Sequence, residues 1–256
     1  MDWDISIILI VIALGFLAAF IDAVVGGGGL ISIPTLLAIG LPPSIALGTN
    51  KLASVFGTMT SAFRFIRARK VDLAIVGKLL PFVFIFSIIG SSLATFLPAD
   101  LLKPIVIVIL TIVLIYTLIR KDWGSIRTFN KLTLGKAILF TALISIIGFY
   151  DGFLGGGTGS FLLFILLMFG FDFLSAAGNA KVLNFGSNLG ALLLFICLGH
   201  VDYFIGIIMA LSMIAGSYVG AMFAINKGVG YVKVLFVVVT AILILKNAYD
   251  YITQTF

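Results

Sequence analysis

Gly26-Gly27-Gly28-Gly29, then the apolar segment 30–39, then Gly40-Leu41-Pro42-Pro43: this stretch decides the fold. A ten-residue helix rises only ~15 Å, half of the ~30 Å hydrocarbon thickness of a bilayer. Segment 30–39 therefore cannot cross a membrane alone as a straight helix, and a longer helix is expected after it at about 44–66. The arrangement recurs further on. Gly155-Gly156-Gly157-Thr158-Gly159 precedes a short segment at 160–169, Gly170-Phe171-Asp172 closes it, and a helix is expected over 173–198.

The two units are copies. At an offset of 130 residues Gly29 matches Gly159, Gly40 matches Gly170, Ala46 matches Ala176, Lys51 matches Lys181 and Asp72 matches Asp202. Ser87, Gly90 and Lys103 meet Ser217, Gly220 and Lys233 in the same register, and Asp22 meets Asp151 with one residue of slippage. Agreement on Gly, Lys and Asp, rather than on interchangeable aliphatics, points to an internal duplication.

Composition supplies the setting. Of 256 residues, 62% are apolar and 10% charged, against ~45–50% and ~25% in soluble domains, an excess no single core can hide. The chain is expected to be an all-α integral membrane protein of about eight to ten hydrophobic segments. Ordinary spans fall near 5–23, 74–96, 101–119, 134–152, 203–225 and 229–249, with the two half-length helices between them. This leaves no room for a large extramembrane catalytic or nucleotide-binding domain. The single Cys197 and single His200 exclude a disulfide framework and a zinc or haem site, so neither metal nor cofactor is expected. Cys197 is expected to pack, and the 24 Phe residues to face lipid. The start Met1-Asp2-Trp3-Asp4 lacks a basic signal-peptide region, so the first apolar run is expected to be retained.

Charge gives the sense of the copies. Nine of the 16 basic residues lie in two places: Arg64, Arg67, Arg69 and Lys70 at the end of the first long helix, and Arg120, Lys121, Arg127, Lys131 and Lys136 between the halves. The positive-inside rule puts both in the cytoplasm. Gly199-His200-Val201-Asp202, the counterpart of the first basic loop, has no Lys or Arg, and is expected outside. The expected organisation is one integrated domain: a transmembrane repeat over 1–120, a basic cytoplasmic linker at 121–133, and an inverted repeat over 134–256.

Paired breaks in inverted repeats mark the binding region of secondary transporters. A helix start in a Gly-rich turn leaves backbone N–H groups free and its dipole favours an anion. Gly27, Gly28 and Gly29 in one half, and Gly156, Gly157, Thr158 and Gly159 in the other, are therefore candidate binding residues. Neither run is a P-loop, because Gly-Lys-Ser/Thr does not follow. Asn50 and Lys51 lie two turns into one long helix, Asn179 and Lys181 in the matching place of the other, and Asn184 and Asn188 continue the Lys181 face. An ionisable side chain in hydrocarbon costs at least ~2.5–3.5 kcal/mol on insertion scales, which makes each a functional candidate. Two lysines flanked by Asn donors suit a doubly charged oxyanion. Asp22 and Asp151, each four residues before a Gly run, are candidates for proton coupling or fixed counter-ions to the lysines. The GxxxG pairs Gly186/Gly190 and Gly216/Gly220 are read as helix packing.

Asp22-Ala-Val-Val-Gly-Gly-Gly-Gly-Leu-Ile-Ser-Ile-Pro, running on through Gly40-Leu-Pro-Pro-Ser-Ile-Ala-Leu-Gly-Thr-Asn-Lys-Leu, resembles the first motif of the TauE/SafE sulfite exporter family. Gly148-Phe-Tyr-Asp-Gly-Phe-Leu-Gly-Gly-Gly-Thr-Gly-Ser-Phe and Asn179-Ala-Lys-Val-Leu-Asn-Phe are similar to its repeated motif. The resemblance implies a bacterial inner-membrane protein that moves sulfur-containing anions such as sulfite or sulfonates.

The function expected from residues and resemblance together is a secondary transporter, an exporter of such an anion by alternating access. A passive anion channel is the alternative. An intramembrane enzyme ranks low, because the chain has no Glu, one His, one Cys and no HExxH or GxSxG motif. The expected partners are the anion and membrane lipid, with no nucleic acid; a homodimer is left open.

Overall fold

The computed structural model describes residues 4–94, 111, 115, 124–130 and 132–255, and they form a helical protein. Its helices are α1 (Ile5–Val25), α2 (Gly29–Ala38), α3 (Pro43–Arg67), α4 (Leu73–Ala94), α5 (Leu134–Phe153), α6 (Thr158–Met168), α7 (Phe173–Cys197) and α8 (Tyr203–Thr255). The span expected at 101–119 lies outside the described residues. The spans expected at 203–225 and 229–249 form α8, interrupted at Gly228 by a non-helical backbone (φ 79°, ψ −170°). α1, α4, α5, α7 and the Tyr203–Ile242 part of α8 are long and apolar enough to cross a membrane.

Local chemistry sets the ends of the short helices. α2 and α6 have ten and eleven residues. Each stops at a glycine with positive φ, 94° at Gly40 and 96° at Gly170. The next N–H, of Leu41 or Phe171, reaches back to the carbonyl of Leu36 or Leu166, closing a Schellman turn. The following helices then start by different means at equivalent positions. Pro43 occupies the first turn of α3, whereas the Asp172 carboxylate accepts the N–H groups of Leu174 and Ser175 at the start of α7.

The long helices form two parallel triads. In one, Gly15 of α1 faces Met209 and Ser212 of α8, Gly220 faces the Phe20 carbonyl, Gly206 faces Leu52 of α3, and Gly57 faces Met213 and Ser217. Numbers rise together, so α1, α3 and the first part of α8 run the same way. In the other, Gly148 of α5 packs on Val83 of α4, Gly152 on Ser87, Gly186 of α7 on Leu80 and Gly190 on Phe84, so α4, α5 and α7 are parallel too. Each triad thus takes two helices from one half of the chain and one from the other, which interlocks the halves. The GxxxG glycines are helix-packing positions, as expected: a Cβ at Gly220 would lie 2.5 Å from the Phe20 carbonyl oxygen, and one at Gly190 2.5 Å from that of Phe84.

α3 and α7 join the triads and run antiparallel. Gly48 meets the Phe195 side chain and the His200 carbonyl; 130 positions on, Gly178 meets the Phe65 side chain and the Lys70 carbonyl. The Asp202 N–H donates to Thr49 Oγ1 and the Asp72 N–H to Asn179 Oδ1, each over 2.9 Å. The basic loop 68–72 and its counterpart 199–202, which has no Lys or Arg, therefore lie at opposite ends of this helix pair. Arg127 of the linker pairs with Asp72 at 2.7 Å, which brings the two basic segments to one end, as the charge pattern predicts.

Two expectations are corrected. Cys197 is exposed rather than packed, because it is the last residue of α7 and lies on a different face from Phe195, which packs on Gly48. The Phe residues are not uniformly lipid-facing: Phe56, Phe63 and Phe82 are exposed, but Phe65, Phe171, Phe173, Phe195 and Phe236 are buried, since the glycine-bearing helix faces need bulk opposite them.

Candidate functional site

The two Gly-rich breaks touch. A Cβ on Gly26, itself at φ +84°, would collide with the backbone of Gly159 and Ser160. Reciprocally, one on Gly29 would lie 2.8 Å from the Gly155 carbonyl oxygen. The approach is closer than any side chain permits, so glycine is required for contact and not only for bending. Ser160 Oγ fastens the junction by donating to the Val25 carbonyl over 3.1 Å.

Two ion pairs flank this junction, and each joins one half of the chain to the other. Lys51 of α3 reaches Asp151 Oδ1 at 2.9 Å, and Lys181 of α7 reaches Asp22 Oδ2 at 2.8 Å. The duplication exchanges one pair for the other. Their surroundings differ. Around the first pair, Asn188 Oδ1 accepts from Lys51 at 3.1 Å, Ser187 Oγ donates to Asp151 Oδ2 at 2.5 Å, and the carboxylate side chain is 2% exposed. Around the second, the Asp22 side chain is 15% exposed, and its Oδ1 accepts the Gly28 N–H at 3.2 Å. The start of α2 therefore already holds one anion, the Asp22 carboxylate, as its dipole favours. The four charges sum to zero, and an isolated charge at this depth would cost several kcal/mol.

A narrow polar cleft lies beside the junction. Asp22, Gly28, Gly29, Asn50, Asp151, Gly155, Asn184 and Asn188 line it, together with Ser54, Gly57, Thr58 and Ser217, which lie along α3 and α8 toward the end of α3 that carries Arg64 and Arg67. The counterparts of Gly57 and Ser217, Ser187 and Ser87, are in contact instead, Ser87 Oγ donating to the Ser187 carbonyl with Gly152 against the Ser87 backbone, while those of Ser54 and Thr58, Asn184 and Asn188, line the cleft itself. The pseudo-symmetric framework thus holds an asymmetric cleft.

Of the candidate residues, Asp22, Gly28, Gly29, Asn50, Asp151 and Asn184 meet at the cleft. Lys51 and Lys181 are buried behind their carboxylates. Asn50 Oδ1 accepts from Ser32 Oγ at 2.6 Å, which ties α3 to the half-helix α2. Gly27, Gly156, Gly157, Thr158 and Gly159 shape the breaks. The Gly27 carbonyl accepts the Leu30 N–H, Gly156 accepts from the Tyr150 hydroxyl, Gly157 is the left-handed N-cap of α6, Thr158 Oγ1 donates to the Gly155 carbonyl, and Gly159 abuts Gly26. Asn179 is placed elsewhere: it holds the Asp72 N–H and the Ser175 carbonyl near the basic loop. Sequence reasoning did not single out Ser32, Tyr150 or Ser187, which brace the breaks and Asp151; small hydroxyl side chains in an apolar run carry too little cost to stand out, and a tyrosine there reads as one more aromatic.

Among the described residues no group of three or more His, Cys, Asp or Glu side chains is placed to hold a metal ion.

The family model described as sulfite exporter TauE/SafE matches residues 11–247. A probable membrane transporter protein of Haemophilus influenzae is 36% identical over 252 residues, covering 98% of both chains. Another, from Sinorhizobium, is 37% identical over 240 residues, 92% of this chain and 90% of its own. The Escherichia coli probable membrane transporter protein YfcA is 36% identical over 237 residues, 91% and 87% of the two chains. No solved structure matches significantly. With helices enough for several crossings and a family model spanning nearly its whole length, the chain is a multi-pass membrane transporter that belongs to the TauE/SafE sulfite exporter family.

Proposed function

We propose that the protein is a secondary transporter that exports a small sulfur-containing anion, sulfite or an organosulfonate, across the bacterial inner membrane by alternating access, its two halves related as inverted repeats. The observation that carries the reading is the exchanged pair of ion pairs, Lys51–Asp151 and Lys181–Asp22, on either side of the touching breaks. A duplicated charge pair buried in an apolar helix bundle is costly as mere glue, because hydrophobic replacements of similar volume are often as stable. The antiparallel α3 and α7, with their reciprocal contacts, support the inverted relation.

The anion enters along the polar cleft and takes the place of the Asp22 carboxylate on Lys181, beside the start of α2. Because the site is neutral when empty, displacement is easiest when Asp22 takes up a proton. Asp22 rather than Asp151 is assigned this role, since it is the more exposed carboxylate of the two pairs. A dianion accompanied by one proton carries one net negative charge, and a membrane potential negative inside favours its exit by ~2.3 kcal/mol per 100 mV. The chain's residues bind, neutralise and release; no bond of the substrate is broken, and no enzymatic step is assigned.

Equilibrium binding of labelled sulfoacetate to the purified protein tests this reading. Saturable binding is expected in the wild type, weakened at least about tenfold (1.4 kcal/mol) in Lys181→Ala. Absence of saturable binding of sulfoacetate, sulfite and sulfate alike would overturn it.

A further inference from the structure

Arg64 lies two helical turns beyond Gly57 on α3, at the end of the row of cleft-lining residues Asn50, Ser54, Gly57 and Thr58. Its guanidinium sits over the Tyr218 ring, 4.5 Å from the centroid, next to the cleft residue Ser217 on α8. Its Nε is buried and has no hydrogen-bond partner. The ion pairs among the described residues leave it without a carboxylate: Asp151 is taken by Lys51, Asp22 by Lys181 and Asp72 by Arg127. Along α3 it is the next charge outward from the neutralised core.

The duplication makes the position informative. The residue 130 positions later is Leu194, so the cation belongs to one half only. An unpaired polar nitrogen buried between two membrane helices is expensive, and an arginine serving only as a surface charge has no need to bury it. Stacked on an aromatic face, a guanidinium keeps its N–H edge in a fixed plane, the geometry that grips an oxyanion through two parallel bonds.

We propose that Arg64 is the capture residue of the transporter, binding the incoming oxyanion at the mouth of the cleft before it reaches the Lys181–Asp22 pair. This inference rests on the function proposed above and adds to it a specificity: planar or pyramidal oxyanion groups presenting two oxygens, taken up at the face that bears the basic loop.

Sulfoacetate binding to the detergent-purified protein, read at a series of NaCl concentrations, tests it. Arg64→Leu, which installs the residue of the twin position, is expected to weaken binding about tenfold and to flatten its salt dependence. Arg64→Lys keeps the charge but not the fork and is expected to fall between. Should Arg64→Leu fold poorly, Arg64→Cys in a Cys197→Ser background supplies the same test: attachment of an aminoethyl group through a disulfide restores binding, and a sulfonatoethyl group does not. Binding within twofold of wild type in Arg64→Leu, or rescue by either reagent alike, overturns the capture role. If wild type itself binds none of the sulfur oxyanions, the transport reading fails first; if wild type binds and only Lys181→Ala is weakened, the transport reading stands and Arg64 is refuted.

Discussion

Lys51 and Asp151 are buried, and Asn188 and Ser187 add a hydrogen bond to each. Removing one charge should therefore cost more than removing both. Asp151→Ala is expected to lower unfolding stability by about 3–5 kcal/mol, and Lys51→Met combined with Asp151→Leu to recover most of it. Unfolding in detergent, read by circular dichroism, checks the stability; the double variant should melt near wild type yet lose flux. Retained flux would reduce this pair to a structural role. At this scale the sequence drew attention to the buried polar residues by type, since Lys, Asp and Asn in apolar runs stand out. Their pairing was not legible, because the partners are 100 and 159 positions apart and the choice between counter-ion and proton carrier was open. Asn179 illustrates the limit. It sits one position from the residue that matches Asn50, and so aligns with Thr49 and shares its loop-anchoring hydrogen bond.

Among elements, the half-helices depend on glycine for two separable reasons, and substitutions distinguish them. Gly26→Ala meets both a left-handed backbone and a collision with Gly159 and Ser160, and is expected to be the most destabilised of the three variants. Gly40→Ala meets open space at φ +94°, so only the backbone penalty of about 1–2 kcal/mol applies. Gly77→Ala, in the exposed interior of α4 with nothing nearby, should be neutral or stabilising by about 0.5–1 kcal/mol. Melting temperatures of the three purified variants check the order; a Gly26→Ala protein as stable as wild type would refute the close junction. Helix lengths and breaks were legible from Gly-Pro turns and run lengths, to within two or three residues at most ends. That the two breaks press on each other was not, since a Gly run announces permissive backbone without naming what approaches it.

For the whole molecule, the duplication at an offset of 130 was legible, and the bias of basic residues is the ground on which the halves are proposed to be inverted. The interlocking of the halves was beyond sequence: α4 pairs with α5 and α7, and α8 with α1 and α3, contacts between helices far apart in the chain that hydropathy cannot rank. The same interlock explains the placement of charge. It brings Lys51 to Asp151 and Lys181 to Asp22, so that both ion pairs bridge the two triads. Alternation between two arrangements of the triads, as proposed above, is what separates a carrier from a pore. The decisive measurement is counterflow in proteoliposomes preloaded with unlabelled sulfoacetate, sulfite or sulfate, following labelled anion taken up from outside. Transient accumulation above equilibrium with a sulfur-containing anion is expected, dependent on preloading and lost in Lys181→Ala. Simple equilibration at the same rate with and without preloading would contradict it and establish a channel.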